Sequence, residues 1–307
     1  MARERWGERW PLEWLRPENL VTNGPYRVAE RRVNDRIRLV KHTGYWDRDN
    51  VAFETIDVLA IEHTATILNM VLTGAVHYAD RLPLSMVPQV MGREDFQVAP
   101  FLATYFYRLN VTRPPLDDPR VRQALSLALD RRAMCEGVLR AGQEPAYSLV
   151  PPGIPGYEPA TCASEDVEAA RALLRQAGFG PAGEPLPTLE ILYNTSEAHR
   201  DLALVIADSW RRNLGLRVLL LNQEWKVYLD TQADLAYDVA RASWIGDYVD
   251  PNTFLDVFQS TSPNNKTGWK HAEYDSLVQR AARELDPKRR FELLRAAEAL
   301  LMTELPI

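Results

Sequence analysis

The sequence lacks the features that mark several large functional classes. No apolar run approaches the ~20 residues that a membrane-spanning helix needs. Its two cysteines, Cys135 and Cys162, have neither a metal-binding spacing nor a CxxC motif, so a disulfide between them stays an open possibility. The five histidines are scattered, and no pair has the spacing of two ligands on one helix face. We therefore predict no metal site and no cofactor.

Basic patches and catalytic signatures are also missing. The formal net charge is −6 at pH 7, and no run of Lys and Arg with interleaved aromatics occurs, so we do not expect nucleic acid as a partner. Ser196, Glu197 and His199 are close together, but no G-x-S-x-G motif accompanies them. Ser196 is better explained as the N-cap of the helix that follows it. We therefore predict that the protein is not an enzyme.

What remains is the composition of a globular protein of about two domains. The chain has 307 residues, of which 46% are hydrophobic and 25% charged. It begins with MARERWGERW, which has no apolar leader, and it stops directly after a long amphipathic helix. Either the protein is cytoplasmic or the true start is absent, and we expect the chain to be a fragment.

Hydrophobic patterning predicts different organisation in the two halves. Residues 26–45 alternate as a hairpin, and Asp118-Pro119 after a proline-rich boundary predicts a helix start. Strands are also expected at 55–61 and 76–79, together with a long strand-like run at 96–111 and a helix at 64–74. The second half alternates helix and strand, which is typical of an α/β domain with a largely parallel sheet. Its expected elements are a helix capped by Ser164 and ending at Gly178, strands at 186–193, 216–221 and 237–244, helices at 197–213 and 225–231, and a last helix that begins at Asp286-Pro287.

Polar and aromatic side chains follow the predicted strands of this sheet. Parallel sheets bind ligands beyond the carboxyl ends of their strands. A cation, an indole and a carboxylate at one such edge suit a zwitterionic ligand, whose ammonium would meet Asp247 and whose carboxylate would meet Arg241 or His199. Helix caps, surface ion pairs and a structural tryptophan would explain the same residues without a site. The residues at these strand ends are Asn194, His199, Trp225, Arg241, Trp244 and Asp247.

Several blocks of the sequence resemble the family 5 extracellular solute-binding proteins of bacteria. These blocks are ENLVTNGPYRV near the start, PPLDDPRVRQALSLALDR (114–131), LYNTSEAHRDLAL (192–204), LNQEWKVYLDT (221–231) and YDVARASWIGDYVDPNTFLD (237–256). The last three are similar to the oligopeptide-binding branch of that family, which serves peptide ABC importers.

The resemblance implies roles for individual residues. Asp247 matches the aspartate that pairs with the α-ammonium of a peptide, and Arg241 and His199 match basic residues that meet peptide carboxylates. Trp225 and Trp244 match the aromatic walls of side-chain pockets. Gln232 stands where better-known members carry an arginine, which puts one contact to an acidic group in doubt. Ala103 and Ile245 stand where some members carry a cysteine pair, so that bridge is absent here.

The resemblance also implies an architecture and a setting. We expect an α/β, periplasmic-binding-protein type II-like two-lobe fold, with the second portion of lobe I in residues 1–111 and lobe II in 112–307. The implied function is to capture short peptides in the periplasm for the permease subunits of an ABC transporter in the inner membrane, as a monomer when complete. The alternatives are a lobe that binds a murein peptide, a metal chelate or a sugar, and a cytoplasmic domain unrelated to transport.

Overall fold

The computed structural model describes residues 2–180 and 183–307, and the chain divides into two compact units. The first unit ends at Met86 and the second begins at Val87. The lobe boundary that we predict between 111 and 112 falls at a different place from this division, and it remains a prediction.

The first unit contains a three-stranded antiparallel sheet in the order β1-β2-β3. The predicted hairpin is confirmed as β1 and β2, which are joined by a turn in which Asn34 has a φ of 59°. Arg38 on β2 and Asp57 on β3 are register partners, and their side chains form two hydrogen bonds of 2.7 Å. The elements of this unit are α1 (Ala2–Trp6), α2 (Trp10–Trp14), β1 (Tyr26–Arg32), β2 (Arg36–Lys41), β3 (Thr55–Leu59) and α3 (Thr64–Leu72).

The predicted strand at 76–79 is wrong. Helix α3 ends at Leu72, and the chain reverses at Gly74, which has a φ of 75°. The amides of Ala75 and Val76 then both donate to the carbonyl of Met70, at 2.8 and 3.2 Å. Since these amides close the end of the helix, they are not available to a sheet.

The second unit alternates helices and strands, as predicted. A π-type turn at Cys135–Leu139 extends its third helix, α6. The elements are α4 (Val87–Val90), β4 (Ala103–Leu109), α5 (Pro119–Leu127), α6 (Arg131–Met134), α7 (Val167–Gln176), β5 (Leu189–Asn194), α8 (Glu197–Leu214), β6 (Val218–Gln223), α9 (Trp225–Ala233), β7 (Val239–Ile245), α10 (Asn252–Leu255), α11 (Ala272–Ala281) and α12 (Pro287–Glu304).

A four-stranded mixed sheet lies at the centre of this unit, in the order β4-β7-β5-β6. Strand β5 runs parallel to both β6 and β7, whereas β4 pairs antiparallel to β7. The largely parallel sheet is therefore confirmed. Because β5, β6 and β7 share one direction, their carboxyl ends at Asn194, Gln223 and Ile245 face the same edge of the sheet.

Most helix ends are determined by capping residues that can be recognised in the sequence. Asp118 and Asp286 cap α5 and α12 through their side chains, with a proline at the first turn of each helix, and Gly215 ends α8 in the left-handed conformation. The predicted cap at Ser164 is wrong, because the helix begins two residues later. Asp166 accepts a 2.9 Å hydrogen bond from the amide of Ala169, so it is the cap of α7.

The two faces of the sheet pack against different layers. One face meets α5, α7 and α8 through a buried cluster that includes Leu125, Ile191, Ile206, Trp210 and Val239. The other face meets α10, α11 and α12 through a second cluster, which includes Phe106, Ala242, Phe254, Leu294 and Leu301. A smaller cluster, made of Leu192, Tyr228, Tyr237 and Ala240, covers the rest of this second face beside α9.

Candidate functional site

Arg241 is the central cation of the candidate site. Its Nη1 donates to Asn194 Oδ1 and its Nη2 donates to Ser243 Oγ, both at 3.3 Å. The guanidinium lies 5.0 Å from the centre of the Tyr105 ring, which is a cation–π distance. Its Nε is buried without an acceptor, and no carboxylate pairs with it among the described residues. A buried guanidinium in this state can still bind an anion.

His199 joins this cation through Tyr105. The Tyr105 hydroxyl and His199 Nδ1 are 3.2 Å apart, and the ring centres are 5.7 Å apart. Tyr107 stands 5.9 Å from Tyr105, and its hydroxyl is buried without a partner. Burial raises the pKa of both phenols, so both remain neutral hydrogen-bonding groups at physiological pH. The structure thus brings Asn194, His199 and Arg241 together, although two tyrosines of β4 were missing from the predicted cluster.

Trp225 and Gln232 belong to the opposite face of the sheet. Trp225 begins α9, is 51% exposed and stacks on Tyr228 with ring centres 5.6 Å apart. The hydroxyl of Tyr228 donates to the backbone carbonyl of Arg241, so α9 is anchored to β7 beside the central cation. Gln232 is only 2% exposed, which makes it part of the interior of this face.

Trp244 also faces this second side. It lies three residues after Arg241 on β7, and side chains an odd number of residues apart on a strand point to opposite faces. It is partly buried against the cluster that includes Phe106 and Ala242, and its indole Nε1 is buried without an acceptor. A buried indole N–H usually has a partner. Trp244 therefore offers one unused donor in addition to its aromatic surface.

Asp247 lies just beyond β7, where a close turn presents it to solvent. Its amide donates to Thr253 Oγ1 at 3.0 Å, while the amide of Gly246 donates to the carbonyl of Leu102 at 2.8 Å. A Cβ at Gly246 would lie 2.7 Å from Leu102 Cδ2, so the turn needs glycine here. No hydrogen bond or ion pair reaches the Asp247 carboxylate from the described part of the chain, and its charge helps burial to raise the pKa of Asp256.

Ile245 occupies the last position of β7. It lies directly opposite Ala103 in the antiparallel pair and is 54% exposed. The two positions that the resemblance connects with a cysteine pair are therefore neighbours in this sheet. The cysteines that the chain does have, Cys135 and Cys162, are both free.

One charged residue of this face was missed in the sequence analysis. Arg108 on β4 donates through Nη1 to the side-chain oxygen of Gln232 and through Nη2 to the carbonyl of Asn264, the latter at 3.4 Å. Its Nε is buried without an acceptor. A signal was present, since Arg108 lies two residues from the core residue Phe106, and residues two apart on a strand share a face.

The described residues hold no cluster of three or more His, Cys, Asp or Glu side chains arranged to bind a metal ion. Within the same residues, no helix has the length and apolarity needed to cross a bilayer. The arrangement at the sheet edge is therefore one of cations, aromatic surfaces and one exposed carboxylate, which suits recognition of a polar ligand.

The model of the bacterial extracellular solute-binding proteins, family 5 Middle, matches residues 6–266. The chain belongs to this family. It is 38% identical over 303 residues to the periplasmic murein peptide-binding protein MppA of Escherichia coli (strain K12), a match that covers 96% of this chain and 56% of that protein. It is 37% identical over 303 residues to the periplasmic oligopeptide-binding protein OppA of Salmonella typhimurium, a match that covers 96% of this chain and 55% of that protein.

A solved structure shows the same relationship in three dimensions. The crystal structure of a periplasmic oligopeptide-binding protein from Borrelia burgdorferi superposes with a TM-score of 0.89 at 33% identity, covering 99% of this chain and 61% of that one. This match confirms the predicted α/β, periplasmic-binding-protein type II-like fold. The chain spans little more than half the length of the family 5 relatives that it matches.

Proposed function

We propose that this family 5 chain is the peptide-binding part of a solute-binding component of an ABC importer. The observation that carries the proposal is the pair of unused charges near the end of β7. Arg241 is a partly buried cation with no carboxylate partner among the described residues, and the Asp247 carboxylate is exposed and has no hydrogen bond or ion pair there. A peptide has one free ammonium and one free carboxylate, which match these two groups.

Recognition would use the ends and the backbone of the peptide more than its side chains. Asp247 would accept from the α-ammonium, and Arg241, with His199 and Asn194 beside it, would meet a carboxylate. Trp225 and Trp244 would cover the peptide with aromatic surface, which is large and does not select one side chain. Ile245, which is exposed, would line the site, and the buried Gln232 would contribute through its hydrogen bond with Arg108. Binding of this kind needs no chemical step, so we propose a transport component without enzymatic activity.

The names of the relatives support a proposal for the setting. MppA and OppA are named as periplasmic proteins, and both are named for the peptides that they bind. We place this protein in the periplasm, where it would deliver short peptides to the permease subunits of its transporter in the inner membrane. We also propose that residues 1–111 belong to lobe I and residues 112–307 to lobe II. The complete protein would be a monomer.

A second candidate ligand is a murein peptide, because MppA is among the matched relatives. Calorimetry on the complete protein separates the two candidates. Trialanine and a murein peptide are titrated in parallel, with a cello-oligosaccharide as a ligand that has no free ammonium or carboxylate. We expect trialanine to bind and the sugar to show no heat. Binding of the murein peptide alone would favour the second candidate, and binding of the sugar alone would exclude both.

A further inference from the structure

Arg108 is a cation that the rest of the chain does not neutralise. Its guanidinium contacts one amide oxygen, from Gln232, and one backbone carbonyl, from Asn264. No ion pair joins it to a carboxylate in residues 2–180 and 183–307. Buried charges in folded proteins are normally paired, since an uncompensated one costs free energy. Arg108 is therefore an exception, and an anionic group of a ligand would supply the missing partner.

The groups around Arg108 increase this need for an anion. Among the groups that interact electrostatically with Arg108 are the phenols of Tyr237 and Tyr228, and burial raises the pKa of both, so neither is negative at neutral pH. Among the described residues, the one charged group that contributes to the pKa shift of Arg108 is a second cation, Arg241. Burial is the main cause that lowers the pKa of Arg108, and the repulsion from Arg241 adds a small lowering. The two guanidiniums belong to adjacent strands but lie on opposite faces of the sheet, and neither forms an ion pair with a described carboxylate.

The free donors of Arg108 have the geometry that a carboxylate requires. Two of its five N–H groups are used by Gln232 and Asn264, and the bond to Asn264 is long at 3.4 Å. The Nε is buried and has no acceptor. The Nε and Nη2 groups form one side of the guanidinium fork, which binds a carboxylate through two parallel hydrogen bonds. The contact between Nη2 and Asn264 is exposed, so a carboxylate can approach the guanidinium from its Nη2 end, whereas Nε itself is buried.

We propose that Arg108 and Gln232 form a pocket that selects an acidic side chain of the bound peptide. This proposal rests on the proposed peptide-binding function and adds a preference within it. The pocket lies on the face of the sheet that carries Trp225 and Trp244, whereas Arg241 and His199 lie on the other face. Gln232 accepts from Nη1 and holds the guanidinium so that its other side remains available.

Matched peptides test this proposal by calorimetry on the complete protein. Glutamate and its neutral isostere glutamine are placed in turn at each of the three positions of a trialanine frame. A charge-assisted hydrogen bond predicts that glutamate binds about tenfold or more tighter than glutamine at one position. A C-terminally amidated set repeats the series, so that a preference for the terminal carboxylate is not mistaken for one for the side chain.

Two variants assign the preference to this pocket. Arg108→Met removes the cation and should reduce the glutamate-to-glutamine ratio to below about twofold. Gln232→Glu keeps Arg108 and supplies it with an internal carboxylate, which should abolish the preference even if Arg108→Met folds poorly. Arg217→Met, which removes an exposed arginine elsewhere in the unit, is the control and should keep the full ratio.

The outcomes separate this proposal from the function on which it rests. If trialanine does not bind to the unmodified protein, the peptide-binding function fails. If trialanine binds but the ratio stays below about twofold at every position, the acidic pocket alone is wrong. A preference that persists in Arg108→Met or in Gln232→Glu would also overturn the pocket, because another group would then be responsible for it.

Discussion

The guanidinium of Arg241 lies 5.0 Å from the centre of the Tyr105 ring, on the neighbouring antiparallel strand. Tyr105 in turn contacts His199 at the start of α8, so three segments that are distant in sequence meet around one cation. The ring restrains the guanidinium in place without supplying a negative charge. The cation is therefore positioned by the fold and remains available to a ligand.

Removing the charge of Arg241 should weaken binding of peptides that have a free C-terminal carboxylate. We expect Arg241→Met to cost about 1.5–3 kcal/mol of binding free energy for trialanine, because a charge-assisted hydrogen bond is lost. C-terminally amidated trialanine should bind the variant and the unmodified protein with similar affinity. Calorimetry measures both. Equal losses for the two peptides would show that Arg241 stabilises the site without meeting the carboxylate.

The Tyr105 ring should matter more than its hydroxyl for holding Arg241. Tyr105→Phe keeps the ring and removes the contact of the hydroxyl with His199 Nδ1, whereas Tyr105→Leu removes both the ring and the hydroxyl. We expect a loss of about 0.5–2 kcal/mol in peptide binding free energy for Tyr105→Leu relative to Tyr105→Phe, which is the range of a cation–π contact. If the two variants bind trialanine equally, the stacking does not contribute to recognition.

The turn that presents Asp247 should not tolerate a side chain at Gly246. A Cβ there would lie 2.7 Å from Leu102 Cδ2, 3.0 Å from Leu102 Cγ and 3.2 Å from Phe254 Cε2. Overpacking of this kind predicts that Gly246→Ala lowers the free energy of unfolding by about 1–3 kcal/mol, measured by urea denaturation. Gly92→Ala is the matched control, because nothing lies within 4 Å of its added Cβ. Equal effects in both variants would contradict the close approach.

The same turn is fixed to α12 by a pH-dependent ion pair. Arg290 donates two hydrogen bonds to Asp250, of 2.6 and 2.8 Å. Burial acts to raise the pKa of Asp250, but the hydrogen bonds from Arg290 and from the Asn252 amide outweigh it, so the net shift is downward. A carboxyl whose pKa is depressed by folding contributes stability above its unfolded pKa of about 3.9, and this contribution is lost as the pH falls.

We therefore expect Asp250→Asn to lower the free energy of unfolding at neutral pH and to have a decreasing effect below about pH 4. Urea denaturation over a pH series measures this difference between the variant and the unmodified protein. A destabilisation that is the same at pH 3 and pH 7 would show that the charge of Asp250 is not responsible.

Local chemistry made much of the fold predictable. The Asp118-Pro119 and Asp286-Pro287 helix starts and the glycine that ends α8 depend on neighbours in sequence, and all are confirmed. The start of α7 was misplaced because Glu165 is held by the Tyr147 hydroxyl and the Arg131 amide, which moves the cap to Asp166. Contacts between residues so far apart in the sequence cannot be inferred from the sequence of the helix alone.

The candidate site was predictable only in part. Strand order placed Asn194, His199 and Arg241 near one another, and their contacts confirm that proximity. The separation of the site between two faces was not foreseen, because it depends on which side of β7 each helix packs. Arg108 was missed for a related reason, since only the structure shows that its surroundings contain no anion among the described residues. The roles of all these residues remain predictions.

The central claim is that Asp247 holds the α-ammonium of a bound peptide. Calorimetry of trialanine and N-acetyl-trialanine, each against the complete protein and its Asp247→Asn variant, forms a double-mutant cycle that tests it. We predict that acetylation weakens binding to the unmodified protein about 10- to 100-fold and has little effect on the variant. An equal loss on acetylation in both proteins would contradict the account.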